Sequence, residues 1–255
     1  MQLNYRQNSR GLYILNKNDF DDIATMILSN YQPAMLKKAQ PLDVHDLVEE
    51  HLYLDMKIAR LSKDGRILGA IAFEDTVYEV YGDDGHAMMI DMPMGTILLD
   101  ERLMKDERHI GRQRFTQVHE AAHWICHRQY HTPMGRNYEF RKMEDNHSIV
   151  CREERIEHPG GSANNTKVWS DSEWEEWQAD NLAVALLMPK GTFIHTAREI
   201  FCSYGINADV RLRWNDNLAL YDKIADELKD IYQVSKSAVR LRLVRCGLMA
   251  GINSR

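Results

Sequence analysis

The residues with the clearest capacity for chemistry are His119-Glu120-Ala121-Ala122-His123. On a helix of about 3.6 residues per turn the two histidines lie one turn apart on one face, so both imidazoles can grip a single divalent ion. Glu120 flanks that face. It is badly placed as a ligand but well placed to take a proton from a water on the ion. Zinc suits such donors and brings the pKa of bound water to about 7, which prepares it for attack on a peptide carbonyl. The set then needs a third protein ligand. Downstream, Glu176-Trp177-Gln178-Ala179-Asp180 places two carboxylates one turn apart on another helix. Glu176 completes a His2Glu set with an open fourth position, and Asp180 can accept from the far nitrogen of one histidine and fix its orientation. Glu175 competes for the third position. The alternative is a solvated acidic face with Glu173 and Glu175. Against it, the same stretch carries Trp177, Leu182, Val184, Leu186 and Leu187, so inward carboxylates would need a partner. Zinc is the expected ion, although these donors also tolerate manganese or iron.

The chain has eleven histidines. His127 lies one further turn along, about 6 Å up the axis from His123, too far to share the ion comfortably. A third histidine ligand reached through a Gly-containing turn would need residues that Trp124-Ile125-Cys126 does not supply. His127 therefore reads as an orienting or packing residue. His131, His147, His158 and Tyr138 fall in or near a long connection, where one of them could donate to an oxyanion.

These residues need elements to hold them. The 255 residues suit one large domain or a domain with an appended module, and 44% hydrophobic with 27% charged residues is ordinary globular composition. A net charge of −6 argues against a surface that coats nucleic acid or an anionic membrane. The longest apolar run, 182–188, falls far short of the roughly 18 residues that cross a bilayer, and the polar N-terminus has no leader pattern, so a cytoplasmic protein is expected. Cys126, Cys151, Cys202 and Cys246 form no CxxC pair and read as free thiols.

Apolar spacing predicts helices over 19–31 and 43–53, then short strands near 57–61, 67–73, 77–80, 88–90 and 96–99. A long helix over 112–129 carries the first motif. The connection 131–172 contains a candidate strand at 148–151. A second strong helix over 173–188 carries the carboxylates and is stopped by Pro189-Lys190-Gly191, and the tail is helical over 217–232 and 236–245. The class is α+β.

The segment Arg114-Phe115-Thr116-Gln117-Val118-His119-Glu120-Ala121-Ala122-His123-Trp124, taken with Glu176-Trp177-Gln178-Ala179-Asp180-Asn181-Leu182-Ala183 and Leu186-Leu187-Met188-Pro189, resembles the ImmA/IrrE family of metallo-endopeptidases. Residues 95–100 and 234–239 add weaker similarity. The resemblance implies a zincin-like fold, with a small mixed or antiparallel sheet packed on the helix of the first motif. It places metal ligands at His119, His123 and Glu176 and the catalytic base at Glu120. It also implies cleavage of a helix-turn-helix transcriptional repressor, which relieves repression. Many relatives carry Gly where this chain has Ala122; a small residue is kept. The implied layout is an N-terminal helical segment 1–40, a peptidase domain 41–215 and a C-terminal helix-turn-helix-like segment 216–255. In such enzymes the edge strand before the metal helix pairs with extended substrate, so Thr96, Ile97 and Leu98 are candidate substrate contacts. An interior strand suits the same apolar run equally well.

From residue 231 onward there are no acidic side chains, and Lys236, Arg240, Arg242, Arg245 and Arg255 give the segment a charge of +5. With Ser235 as N-cap, residues 234–239 have the look of a helix-turn-helix second helix, in which Lys236 and Arg240 would be the nucleic-acid or partner contacts. The favoured reading is a helical hairpin packed through Leu241, Leu243 and Val244, or a dock for the substrate protein. The rival to a peptidase is a non-catalytic metal-containing regulator that binds DNA or a repressor through this tail.

Overall fold

A computed structural model describes residues 3–105, 110–131, 148–152, 169–207, 211–213 and 216–250. The chain is α+β, with eight α-helices and small sheets among these residues, and it divides into two compact units. The first comprises residues 1–20 and 43–183, and the second residues 21–42 and 184–255. The second half of the expected N-terminal segment, residues 21–40, and the expected C-terminal segment thus fall in one and the same unit.

In the first unit, helix α2 (Val44–Asp46) is capped by Asp43, which accepts from the Asp46 amide, and runs into a π turn at Leu47–His51. Strands β1 (Asp55–Ala59), β2 (Ile67–Ala72), β5 (Thr96–Asp100) and β6 (Ser148–Arg152) form one mixed sheet in the order β1-β5-β2-β6. β1 runs parallel to β5, while β2 is antiparallel to both β5 and β6. Strands β3 (Thr76–Tyr81) and β4 (Ala87–Met92) make a separate hairpin. Ala70, Ala72 and Leu98 on one face of the sheet pack with Leu61, Val80 and Met92. Alternation along a strand sends Gly69, Ile71, Ile97 and Leu99 to the other face. There the sheet meets α4 (Ile110–His131), which follows the short α3 (Glu101–Met104). Asp100, wholly buried, ends β5 and starts α3: it accepts from the Arg102 and Leu61 amides and pairs with the Arg102 guanidinium. Helix α5 (Asp171–Leu187) supplies the second motif.

Thr96, Ile97 and Leu98 are not at an edge. β5 has β1 on one side and β2 on the other, and all five of its residues are buried. Both rows of its backbone groups face neighbouring strands, so no added strand can pair there; the expectation of substrate augmentation on these residues is corrected. Among the described residues the edges of this sheet are β1 and β6.

In the second unit, most of α1 (Lys17–Tyr31) and the end of α5 are joined by α6 (Lys190–Ser203), α7 (Leu218–Tyr232) and α8 (Lys236–Arg245), with the short parallel pair β7 (Leu212–Arg213) and β8 (Met249–Ala250). Sequence reading missed α6. Pro189 ends α5, as its type predicts, and also opens the next helix, where its missing N–H costs nothing. Asn217 and Ser235 cap α7 and α8 by accepting from Leu220 and Ala238 amides at 3.1 Å each. Gln233 takes the left-handed conformation that ends α7. Arg242 is buried rather than solvated: its Nε donates to the Met188 carbonyl at 2.9 Å and its guanidinium pairs with Asp21 at 2.7 Å.

One glycine governs the fit of sheet against helix. A Cβ on Gly69 would stand 2.7 Å from Glu120 Oε1 and 2.8 Å from Thr116 Cγ2, closer than packed carbons approach. Gly69→Ala is expected to destabilise the protein by about 1–3 kcal/mol through overpacking, measured by urea unfolding. An unchanged midpoint would contradict this close contact between β2 and α4.

Candidate metal centre

Helix α4 buries almost its whole middle, including Phe115, Thr116, Val118, Ala121 and Ala122, because it lies between the sheet and other elements of the first unit. His119, Glu120 and His123 are therefore completely buried, and Glu176 and Asp180 of α5 are nearly so. Burying this many polar side chains is costly unless they converge on one another or on an ion.

They do converge. His119 Nε2 lies 3.0 Å from His123 Nε2, and Glu176 places carboxylate oxygens 3.5 Å from the first and 3.8 Å from the second. Ligand atoms of His119, His123 and Glu176 all lie within 4.8 Å of one another, and this is the group among the described residues able to hold a metal ion. Tetrahedral ligands about 2.0–2.2 Å from one ion stand roughly 3.3 Å apart, a spacing that the observed separations bracket. The three residues fit a divalent cation, and two imidazoles with a carboxylate suit zinc and its borderline neighbours. Asp180 Oδ1 lies 3.1 Å from His119 Nδ1, as a charge pair rather than an aligned hydrogen bond. It favours a proton on Nδ1 and so leaves Nε2 to face the other ligands.

Glu175, the competing third ligand, is occupied elsewhere. Its carboxylate pairs closely with His131, whose ring stacks on Phe73 at 4.5 Å between centroids. That pairing also keeps His131 out of the ligand group, while Tyr138, His147 and His158 lie outside the described residues. Cys126 is buried, and burial pushes its thiol up to about 12, which makes it an inert neighbour.

Glu120 projects toward Gly69 rather than into the ligand set. Neither of its oxygens has a hydrogen-bond partner among the described residues. Burial pushes its carboxyl up to about 8; the His119 ring opposes that rise and the Glu176 carboxylate adds to it. Burial therefore favours the neutral, protonated form of this carboxyl.

His127, expected as an orienting or packing residue one turn beyond His123, touches that residue, while its second partner, Gln178, had no sequence signal. His127 Nδ1 lies 3.1 Å from His123 Nδ1, and His127 Nε2 lies 3.1 Å from Gln178 Oε1. The Gln178 amide in turn donates to the Tyr13 carbonyl at 2.7 Å. Burial pulls the His127 imidazole down to about 4, so it is neutral at ordinary pH. Gln178 sits two residues from each motif carboxylate, a spacing that gives no hint of a shared face, and its partners are 51 and 165 residues away.

Lys236 and Arg240, the candidate nucleic-acid contacts, are held by the preceding helix. Lys236 Nζ pairs with Asp226 at 2.8 Å and lies 3.8 Å from Asp222, and Arg240 pairs closely with Asp222. The hairpin reading fits this better than a DNA-reading helix, since both cations are paired with α7 carboxylates. Among the described residues no helix is long and apolar enough to cross a membrane.

Zinc added to metal-free protein is expected to bind one per chain. At a hundredfold excess over its Kd it should raise Tm by about 5–10 °C. His119→Ala, His123→Ala and Glu176→Ala should each abolish the shift, and Glu175→Ala should retain it. A shift that survives Glu176→Ala would exclude this site.

Compared with known proteins, the chain matches no family model and no curated protein, so the assignment of this centre rests on its own residues and distances.

Proposed function

We propose that the chain is a metal-dependent endopeptidase in which His119, His123 and Glu176 hold a zinc ion and Glu120 is the general base and acid. The observation that carries this reading is Glu120: a wholly buried carboxylate beside the ligand set, ligating nothing and without a hydrogen-bond partner among the described residues. A structural metal site needs ligands but has no use for a buried carboxyl of raised pKa beside them.

A bound divalent cation supplies Lewis-acid polarisation of the scissile carbonyl and acidifies water. The protein's own residues do the rest. Glu120 takes a proton from the attacking water as its oxygen adds to the carbonyl carbon. It then delivers that proton to the departing amide nitrogen, so the C–N bond breaks and the sum is hydrolysis. Asp180 holds the His119 ring in place through Nδ1.

The paired motifs further support membership of the ImmA/IrrE family, a zincin-like fold and a cytoplasmic enzyme whose substrate is a helix-turn-helix repressor. The non-catalytic alternative, with DNA bound by the tail, is less well supported, because Lys236 and Arg240 are already paired within α7 and α8.

Glu120→Gln is expected to keep full zinc binding and lose about 10²–10⁴-fold in cleavage of a co-expressed repressor, read as the disappearance of the cut fragment. Cleavage at the wild-type rate in a zinc-loaded Glu120→Gln protein would refute the hydrolytic role.

A further inference from the structure

We propose that Gln178 and His127 are positioning residues that fix which nitrogen of His123 faces the ligand set. The inference deepens the metal-site reading above and rests on it. Its starting point is a backbone carbonyl. The Tyr13 oxygen can only accept, so the Gln178 group 2.7 Å from it must be the amide NH2. Gln178 then presents its oxygen, an acceptor, to His127 Nε2 at 3.1 Å. The His127 proton accordingly resides on Nε2, and its Nδ1 carries a bare lone pair. That lone pair lies 3.1 Å from His123 Nδ1, which must donate to it. A neutral imidazole with its proton on Nδ1 has its lone pair on Nε2, the atom 3.0 Å from His119 Nε2.

The chain of donors and acceptors thus runs one way, from the Tyr13 carbonyl to the His123 lone pair. All four residues belong to the first unit, and the His127 and Gln178 side chains are wholly buried. Water therefore does not compete for these contacts, and reversing any one link would set two donors or two acceptors against each other. The His119 ring is biased in the same sense by Asp180. Both Nε2 atoms then face one another as lone pairs, an arrangement that a shared cation relieves and a hydrogen bond cannot.

The test reads proton position directly. Metal-free protein labelled with 15N at histidine, with His123 assigned by comparison with His123→Gln, is expected to show His123 protonated on Nδ1 and bare on Nε2. A His123 proton found on Nε2 overturns the proposal whether or not metal binds. Zinc affinity by chelator competition gives the second arm. His127→Phe should weaken zinc binding about 10–100-fold, whereas His127→Gln, whose amide oxygen can still accept from His123, should keep the wild-type affinity. Gln178→Leu, which leaves α4 unaltered, should lose affinity as His127→Phe does and serves in its place if the latter fails to fold. Wild-type affinity in both Gln178→Leu and His127→Phe overturns the proposal while leaving the metal site standing. Absence of zinc binding by the wild type instead refutes the metal-site reading, and the labelled spectrum then decides the proton's place alone.

Discussion

Two imidazole nitrogens 3.0 Å apart, with a carboxylate within 4 Å of both, set the terms for the structure around them. In a buried site three such groups are costly to hold together unless a proton or a cation lies among them. A divalent cation would meet that need, and the surrounding contacts favour a site open to one. Asp180 acts on the far side of one ring and His127 with Gln178 on the far side of the other. Each bias comes from outside the ligand set.

The sheet contributes by letting α4 come close. β2 has glycine where the helix carries Thr116 and Glu120, and its pairing with β5 leaves that face free of bulk at Gly69. Glu120 is thereby sealed from solvent without a hydrogen-bond partner among the described residues. The same interior position of β5 that removes it as a surface for substrate makes it a rigid support for the helix. Extended substrate would have to meet the sheet at β1 or β6, the two strands with an unpaired side among the described residues.

The residue types of the candidate metal centre were legible in the sequence because they are local. His119 and His123 share a helical face by spacing alone, and so do Glu176 and Asp180; the structure then brings the two pairs together as those periods imply. Glu176 over Glu175 was resolvable for the same reason, since only one of two adjacent helical residues can face a given point. Other features were not local. Ile97-Leu98-Leu99 is as apolar as an edge strand under cover or an interior strand would be, so sequence could not order the sheet. Pro189 marks a helix end and a helix start alike. His127 was legible as a residue outside the ligand set, but its role depends on Gln178 and Tyr13, which only the tertiary fold brings near. The basic tail was misleading as a count of charge, because its partners Asp222 and Asp226 lie on the preceding helix and Asp21 lies near the other end of the chain.

The most direct test of the account is anomalous diffraction from zinc-loaded crystals at the zinc edge. One peak per chain is predicted, about 2.0–2.2 Å from His119 Nε2, His123 Nε2 and a Glu176 oxygen, with Glu120 beside it and not bonded to it. A peak at other residues, or no peak from protein that carries zinc in solution, would contradict it.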